Sequence, residues 1–75
     1  MFSKEIFAQR LAALRTESGQ SQKAIASYLS VARTTVTMME TGQRAPSIEV
    51  ACMLADYFHV PLDYLCGRSD DPSLF

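Results

Sequence analysis

Apolar residues recur at three- and four-residue intervals along most of the chain, which is the spacing of one face of an α-helix. The first run predicts a helix that begins after Ser3, a residue type that caps helices, and ends near Gly19. Ser21 should cap a second, short helix with the sequence QKAIASYL. The inward-facing positions of these two helices are Ile6, Phe7, Leu11, Leu14, Ile25, Ala26 and Leu29.

A brief turn at residues 29–31 leads to a third helix, predicted from about Ala32 to Thr41 and ended by Gly42. The segment GQRAPS that follows is predicted to be a loop, because the residue before Pro46 is disfavoured in the helical region. The connection between the second and third helices is the tightest of those predicted, and two helices joined by a turn of three or four residues form a helix-turn-helix unit.

Ser47 should cap a fourth helix, which His59 interrupts, and Pro61 should begin a last short helix, LDYLC, that stops at Gly67. The inward positions of the fourth helix are Ile48, Ala51, Leu54, Ala55 and Phe58. No alternating strand pattern occurs. We therefore expect one compact all-α domain of five helices over residues 1–67, followed by a short, flexible C-terminal tail at residues 68–75.

The net charge of −1 conceals an uneven distribution. Residues 1–44 contain six basic and three acidic residues, a balance of +3, and residues 45–75 contain one basic and five acidic residues, a balance of −4. The positive half could face a polyanion such as nucleic acid, although an ordinary surface charge pattern explains the asymmetry equally well.

The chemistry of the chain argues against several classes of protein. Two separated cysteines, Cys52 and Cys66, and the single His59 do not make a zinc site and are more typical of the reducing cytoplasm than of a secreted domain. There is no nucleophile–base set and no glycine-rich phosphate loop, so we expect neither an enzyme nor a cofactor. We also expect neither a signal peptide nor a membrane span.

The run from Arg10 to Gly67 resembles the phage-repressor/Cro type of helix-turn-helix domain, the XRE family. The resemblance is carried by "RL..LR", "SQ..IA..L", "V.R.TV..ME.G.R.PS" and "LA..F.VPLDYL.G", which occur in the family's order and spacing. It implies a lambda-repressor-like fold and a transcriptional regulator, usually a repressor, that binds a palindromic DNA operator as a homodimer with helix 3 in the major groove. Four positions depart from the family pattern: Gln20, Ser30, Ala32 and His59.

A helical wheel of the third helix predicts which of its side chains face outward. At about 100° per residue, Val36 and Met39 fall on the side opposite to an edge that could contact bases. That edge consists of Arg33, Thr34, Thr37 and Met38. Arginine pairs with guanine in the major groove, and threonine or methionine can contact a thymine methyl. The alternative is that the threonines are merely solvated and that the methionine packs on a partner helix.

A second group should contact DNA phosphates and set the position of the domain. Its members are Ser21, Gln22, Lys23, Gln43 and Arg44, of which Ser21 is better suited to capping. The family resemblance implies the phosphate contact of Gln22. It also implies a structural ion pair between Arg15 and Glu40 that ties helix 1 to helix 3. For Lys23 and Arg44 the alternative is a solvated charge.

The C-terminal half has more apolar side chains than a small core needs, which favours a dimer interface. The candidates are Met53, Tyr57, Tyr64, Leu74 and Phe75. The alternative is that these residues only cover the core. A different function also remains open at this point: an antitoxin or adaptor-type protein-interaction module that uses the same fold and whose partner covers helix 3.

Overall fold

A computed structural model describes residues 1–74 and contains five α-helices in that range. They are α1 (Lys4–Glu17), α2 (Gln22–Leu29), α3 (Arg33–Glu40), α4 (Ile48–Phe58) and α5 (Leu62–Leu65). Residues 1–74 contain no β-strand, so the expected all-α, five-helix fold is confirmed. Within the same range, no helix has both the length and the apolar character that crossing a membrane requires.

Serine side chains begin three of the helices, as the sequence predicts. The hydroxyl oxygens of Ser3, Ser21 and Ser47 each accept a hydrogen bond from the backbone N–H three residues further on. Such a cap satisfies one of the N–H groups that a first turn leaves without a partner. Ala32 occupies the same position before α3 and makes no side-chain cap. The start of α3 therefore depends on its packing rather than on a capping bond.

Among residues 1–74, two residues other than glycine adopt the left-handed conformation at helix ends, and both are departures from the family pattern. Ser30 ends α2 with φ of 59°, and His59 ends α4 with φ of 56°. The Ser30 N–H bonds back to the last turn of α2, which turns the chain sharply into α3. This conformation costs a residue with a Cβ atom about 1–2 kcal/mol more than it costs glycine, so surrounding contacts must hold the turn.

The five helices share one apolar core. Its fully buried large side chains come from every helix: Phe7, Leu11, Ile25, Val36, Met39, Leu54 and Leu65. The prediction that Ile48 faces inward is wrong, because this residue is 71% exposed. It is the first residue of α4 and lines a surface groove, so the periodic pattern does not reach a buried partner there.

Arg10 fastens the C-terminal segment to α1. Its guanidinium donates to the backbone carbonyls of Tyr64 and Ser69 and, at 2.9 Å, to Asp70 Oδ1. The guanidinium carbon also lies 4.1 Å from the centre of the Tyr64 ring, a cation–π distance. The first residues of the predicted tail thus contact the folded domain. Phe75 lies outside the described residues.

Candidate nucleic-acid interface

The outward face of α3 contains three of the four predicted base-contacting side chains. Arg33, Thr34 and Met38 are exposed, while Val36 and Met39 on the opposite side are 0% and 2% exposed. The predicted division of α3 into a buried and an exposed face is therefore confirmed. An exposed arginine beside a threonine and a thioether offers hydrogen-bond donors and an apolar surface along one helix edge.

Thr37, the fourth member, is half-buried and belongs to a chain of hydrogen bonds. Its hydroxyl donates to Gln22 Oε1 at 2.9 Å. Gln22 Nε2 donates to Glu40 Oε1 at 3.0 Å, and Arg15 donates to both carboxylate oxygens of Glu40, at 2.6 and 3.1 Å. This chain connects α1, α2 and α3 through side chains alone.

The ion pair between Arg15 and Glu40, which the family resemblance implies, is present and largely shielded from water. The Glu40 side chain is 6% exposed and the Arg15 side chain is 20% exposed. The hydrogen bond that Arg15 donates to Glu40 raises the pKa of Arg15 above its ordinary value, against the opposing effect of desolvation. The pair has bidentate geometry, which is the strong form of an arginine–carboxylate contact.

This pairing decides the charge of the surface around α3. Between Ser18 and Ile48 the only acidic residue is Glu40, and Arg15 neutralises it. The basic residues of the same stretch are Lys23, Arg33 and Arg44, and none of them lies within ion-pair distance of a carboxylate in residues 1–74. The surface formed by α2, α3 and the following loop is therefore net positive, although the whole chain is not.

The predicted phosphate-contacting residues lie around this surface in different environments. Lys23 and Arg44 are exposed, and the backbone N–H groups of Gln43 and Arg44 bond to the Met38 carbonyl, which fixes the loop against the end of α3. The Ser21 oxygen accepts the capping bond at 3.0 Å. The Gln22 amide already bonds to two side chains, which the sequence did not indicate, and it retains one N–H for another acceptor.

The predicted dimer residues fall into separate groups. Met53 and Tyr57 lie with Tyr28, whose ring is 4.5 Å from that of Tyr57 and whose hydroxyl bonds to the Met53 carbonyl at 3.2 Å. Tyr64 instead lies under Arg10. Leu74 is 54% exposed in the tail.

An apolar groove that the sequence reasoning missed lies between the start of α4 and α5. Its volume is about 350 Å³, and Phe2, Ile48 and Leu62 are among the residues that line it, with Asp63 and Arg68 as charged residues in its lining. Ile48 directly follows a capping serine, at a helix end where burial is least certain. That position is the one sequence signal that could have indicated its exposure.

Comparisons with known proteins agree with this geometry. The family profile described as Helix-turn-helix matches residues 11–65. The chain is 41% identical over 59 residues to the HTH-type transcriptional regulator AnsR of Bacillus subtilis (strain 168), covering 79% of this chain and 51% of that protein. It thus spans about half the length of this curated relative.

Two solved structures are similar in fold and in sequence. One is the restriction-modification controller protein C.AhdI from Aeromonas hydrophila, with a TM-score of 0.73, 34% identity, and coverage of 83% of this chain and 94% of that one. The other is a transcriptional regulator from Listeria innocua, with a TM-score of 0.81, 37% identity, and coverage of 87% of this chain and 61% of that one.

Proposed function

Because the chain belongs to the helix-turn-helix family of DNA-binding transcriptional regulators, we propose that it acts as a repressor that inserts α3 into the major groove of a palindromic operator. The observation that carries this proposal is the outward edge of α3, where Arg33, Thr34 and Met38 are exposed on a surface whose only carboxylate is neutralised. The role is one of binding and not of catalysis. With DNA as its partner, the protein would work in the cytoplasm.

The edge residues would divide the reading of bases among them. Arg33 would donate to O6 and N7 of one guanine, which is the most common specific contact in the major groove. Thr34 and Met38 would contact thymine methyl groups, and Thr37 would contribute a hydrogen bond. Such a half-site contains one G·C pair and several A·T pairs.

The surrounding residues would hold the domain on the DNA backbone. Lys23 and Arg44 are exposed cations, and the side chain of Gln43 and the free N–H of Gln22 are donors at the same surface. Ser21 retains a hydroxyl hydrogen beside its capping bond. Contacts of this kind set the register of the helix but carry no sequence information themselves.

A homodimer follows from the small size of one reading helix. One such unit covers few base pairs, whereas two half-sites spaced about 34 Å apart bind both units of a dimer. We place the pairing surface at the groove of Phe2, Ile48 and Leu62 and not at the predicted candidates Met53 and Tyr57, which contact Tyr28 within the chain. Pro46 and Ser47 line both this groove and a smaller hollow beside α3, so a second copy docked in the groove would lie next to the α3 region of the first.

Analytical ultracentrifugation of two matched variants tests this surface. Ile48→Glu should convert the dimer to a monomer, because it places a charge in the apolar contact, whereas Met53→Glu should leave the dimer intact. The reverse result would move the pairing surface to the patch of Met53, Tyr57 and Tyr28. A wild-type protein that stays monomeric, both free and on DNA, would contradict the dimer altogether.

Footprinting on the DNA that flanks the gene for this protein tests the proposed function itself. We expect a protected, palindromic segment, and we expect binding of the protein to that segment to reduce transcription from the adjoining promoter. The absence of any binding at low salt, where even non-specific binding to DNA is strong, would contradict it and would favour the antitoxin or adaptor role. The named relatives are regulators and do not favour that alternative.

A further inference from the structure

The hydrogen-bond chain from Arg15 to Thr37 has a fixed direction, because it begins at a charge. The carboxylate of Glu40, paired with Arg15, can only accept hydrogen bonds. Gln22 must therefore turn its Nε2 group towards Glu40, 3.0 Å away, and its Oε1 towards Thr37. The orientation of a glutamine amide is often ambiguous, but here the neighbouring charge determines it.

This orientation determines what Thr37 can offer to a ligand. A threonine hydroxyl has one hydrogen to donate and lone pairs that accept. The two groups next to the Thr37 hydroxyl are both acceptors: Gln22 Oε1 at 2.9 Å and the backbone carbonyl of Arg33 at 3.3 Å. Whichever of these two acceptors the hydroxyl hydrogen bonds to, it is used within the protein. Only lone pairs of the Thr37 oxygen then remain for a ligand.

We propose that Thr37 reads DNA as a hydrogen-bond acceptor only, and that Glu40 is the positioning residue that sets this polarity through Gln22. The inference rests on the proposed function, namely that α3 lies in the major groove. The groups that suit such an acceptor are the exocyclic amino groups, N6 of adenine and N4 of cytosine. The keto oxygens of thymine and guanine are acceptors themselves and repel it.

Every base pair presents one amino and one keto group in the major groove, so the acceptor reads the orientation of a pair. At the pair facing Thr37, the protein should select adenine or cytosine on the nearer strand and reject thymine or guanine there. Loss of one neutral hydrogen bond predicts a discrimination of about 2- to 12-fold. Gln22 keeps one N–H donor that makes no hydrogen bond within residues 1–74, and such a donor suits a phosphate oxygen.

Thr34 provides a matched control on the same helix face. It is exposed, and its hydroxyl makes no hydrogen bond within residues 1–74, so it can rotate to donate or to accept. A threonine with a free hydroxyl has no reason to distinguish amino from keto groups. Thr34→Val should therefore leave the preference at the pair facing Thr37 unchanged.

Selection of bound sequences from a random DNA pool, followed by binding titrations, tests the inference. Thr37→Val keeps the shape of the side chain but removes the lone pairs of its hydroxyl. The variant should lose the preference for adenine or cytosine at the pair facing residue 37 and keep the wild-type preferences at the other positions. Glu40→Gln, which can donate to Gln22 and let its amide turn over, should relax the same position. Circular dichroism confirms that each variant is folded.

A change in the DNA alone provides a second measurement that needs no variant to fold. Where adenine is selected at that position, 2-aminopurine still pairs with thymine but has no amino group in the major groove; for cytosine, 2-pyrimidinone serves likewise. The replacement should weaken wild-type binding about 2- to 12-fold and leave Thr37→Val unaffected.

The outcomes separate this inference from the proposed function. A protein that selects a clear half-site, in which Thr37→Val changes no position or the wild type selects thymine or guanine opposite Thr37, overturns the polarity and leaves the regulator role in place. A protein that selects no sequence overturns both.

Discussion

Replacing Glu40 with alanine should lower the free energy of unfolding strongly, although the change removes only one carboxylate group. The Glu40 side chain is 6% exposed and accepts hydrogen bonds from Arg15 and Gln22. Glu40→Ala removes the carboxylate but leaves the guanidinium of Arg15 in place. The Arg15 side chain is only 20% exposed there. The variant must then hold a poorly hydrated charge and a glutamine N–H group without their acceptor.

The expected cost follows from that burial. Removing one partner of a buried ion pair costs about 3–5 kcal/mol. Because Arg15 keeps some access to water, we expect a smaller loss in the free energy of unfolding, about 2–4 kcal/mol. A chain of 75 residues has a total stability of about 4–11 kcal/mol. Glu40→Ala should therefore remove a large share of the free energy of unfolding.

Urea denaturation followed by circular dichroism measures this loss. For a small domain the slope is about 1 kcal/mol per M, so the midpoint should fall by at least about 2 M. Arg15→Met combined with Glu40→Leu should be more stable than Glu40→Ala alone, because the double variant leaves no unpaired charge. A cost below about 1 kcal/mol, or a double variant less stable than the single one, would refute the reasoning.

The exposed pair of Arg68 and Asp63 is the matched control. Its atoms are 4.0 Å apart, and the two side chains are 60% and 64% exposed. Exposed pairs contribute about 0–1 kcal/mol. Asp63→Ala should therefore change the urea midpoint little, which separates the effect of burial from that of charge removal in general.

Three further predictions concern binding, reactivity and backbone geometry. Arg44→Ala should lower the slope of log K against log salt by about one unit without altering the selected sequence, as salt titrations of DNA binding will measure; a changed sequence preference would contradict a phosphate role. Cys52 is exposed, whereas Cys66 is buried and desolvation raises the pKa of its thiol. A thiol reagent at neutral pH should therefore modify one cysteine in the native protein and two in urea; rapid native labelling of both would be inconsistent with this burial. Gly67 and Gly42 both have positive φ, but a Cβ at Gly67 would meet α1 side-chain atoms at 3.1 Å and one at Gly42 would meet nothing within 4 Å. Gly67→Ala should consequently lower the melting temperature more than Gly42→Ala, and equal losses would show that the backbone conformation alone matters.

The helices could be predicted from the sequence because their signals are local. Ser3, Ser21 and Ser47 cap α1, α2 and α4 through bonds that span only three residues. The buried and exposed sides of α3 follow from helical periodicity, which places Val36 and Met39 together. Such features require no knowledge of distant parts of the chain.

The rest depends on contacts between residues far apart in sequence. Nothing near Gln22 indicates that its amide bonds to Thr37 and Glu40, because this requires the packing of α2 against α3. The attachment of Asp70 to Arg10 spans 60 positions and could not be read from a polar tail. The exposure of Ile48 likewise depends on where the other helices end.

Selection from a random DNA pool with wild-type protein and Arg33→Ala tests the central claim, that the outward edge of α3 reads DNA sequence. The wild type should enrich two inverted half-sites, each with a guanine whose identity matters. Arg33→Ala should relax the preference at that one pair, at a cost of about 1–3 kcal/mol, and keep the remaining positions. Enrichment of the same sequence with the same selectivity by both proteins would contradict the claim.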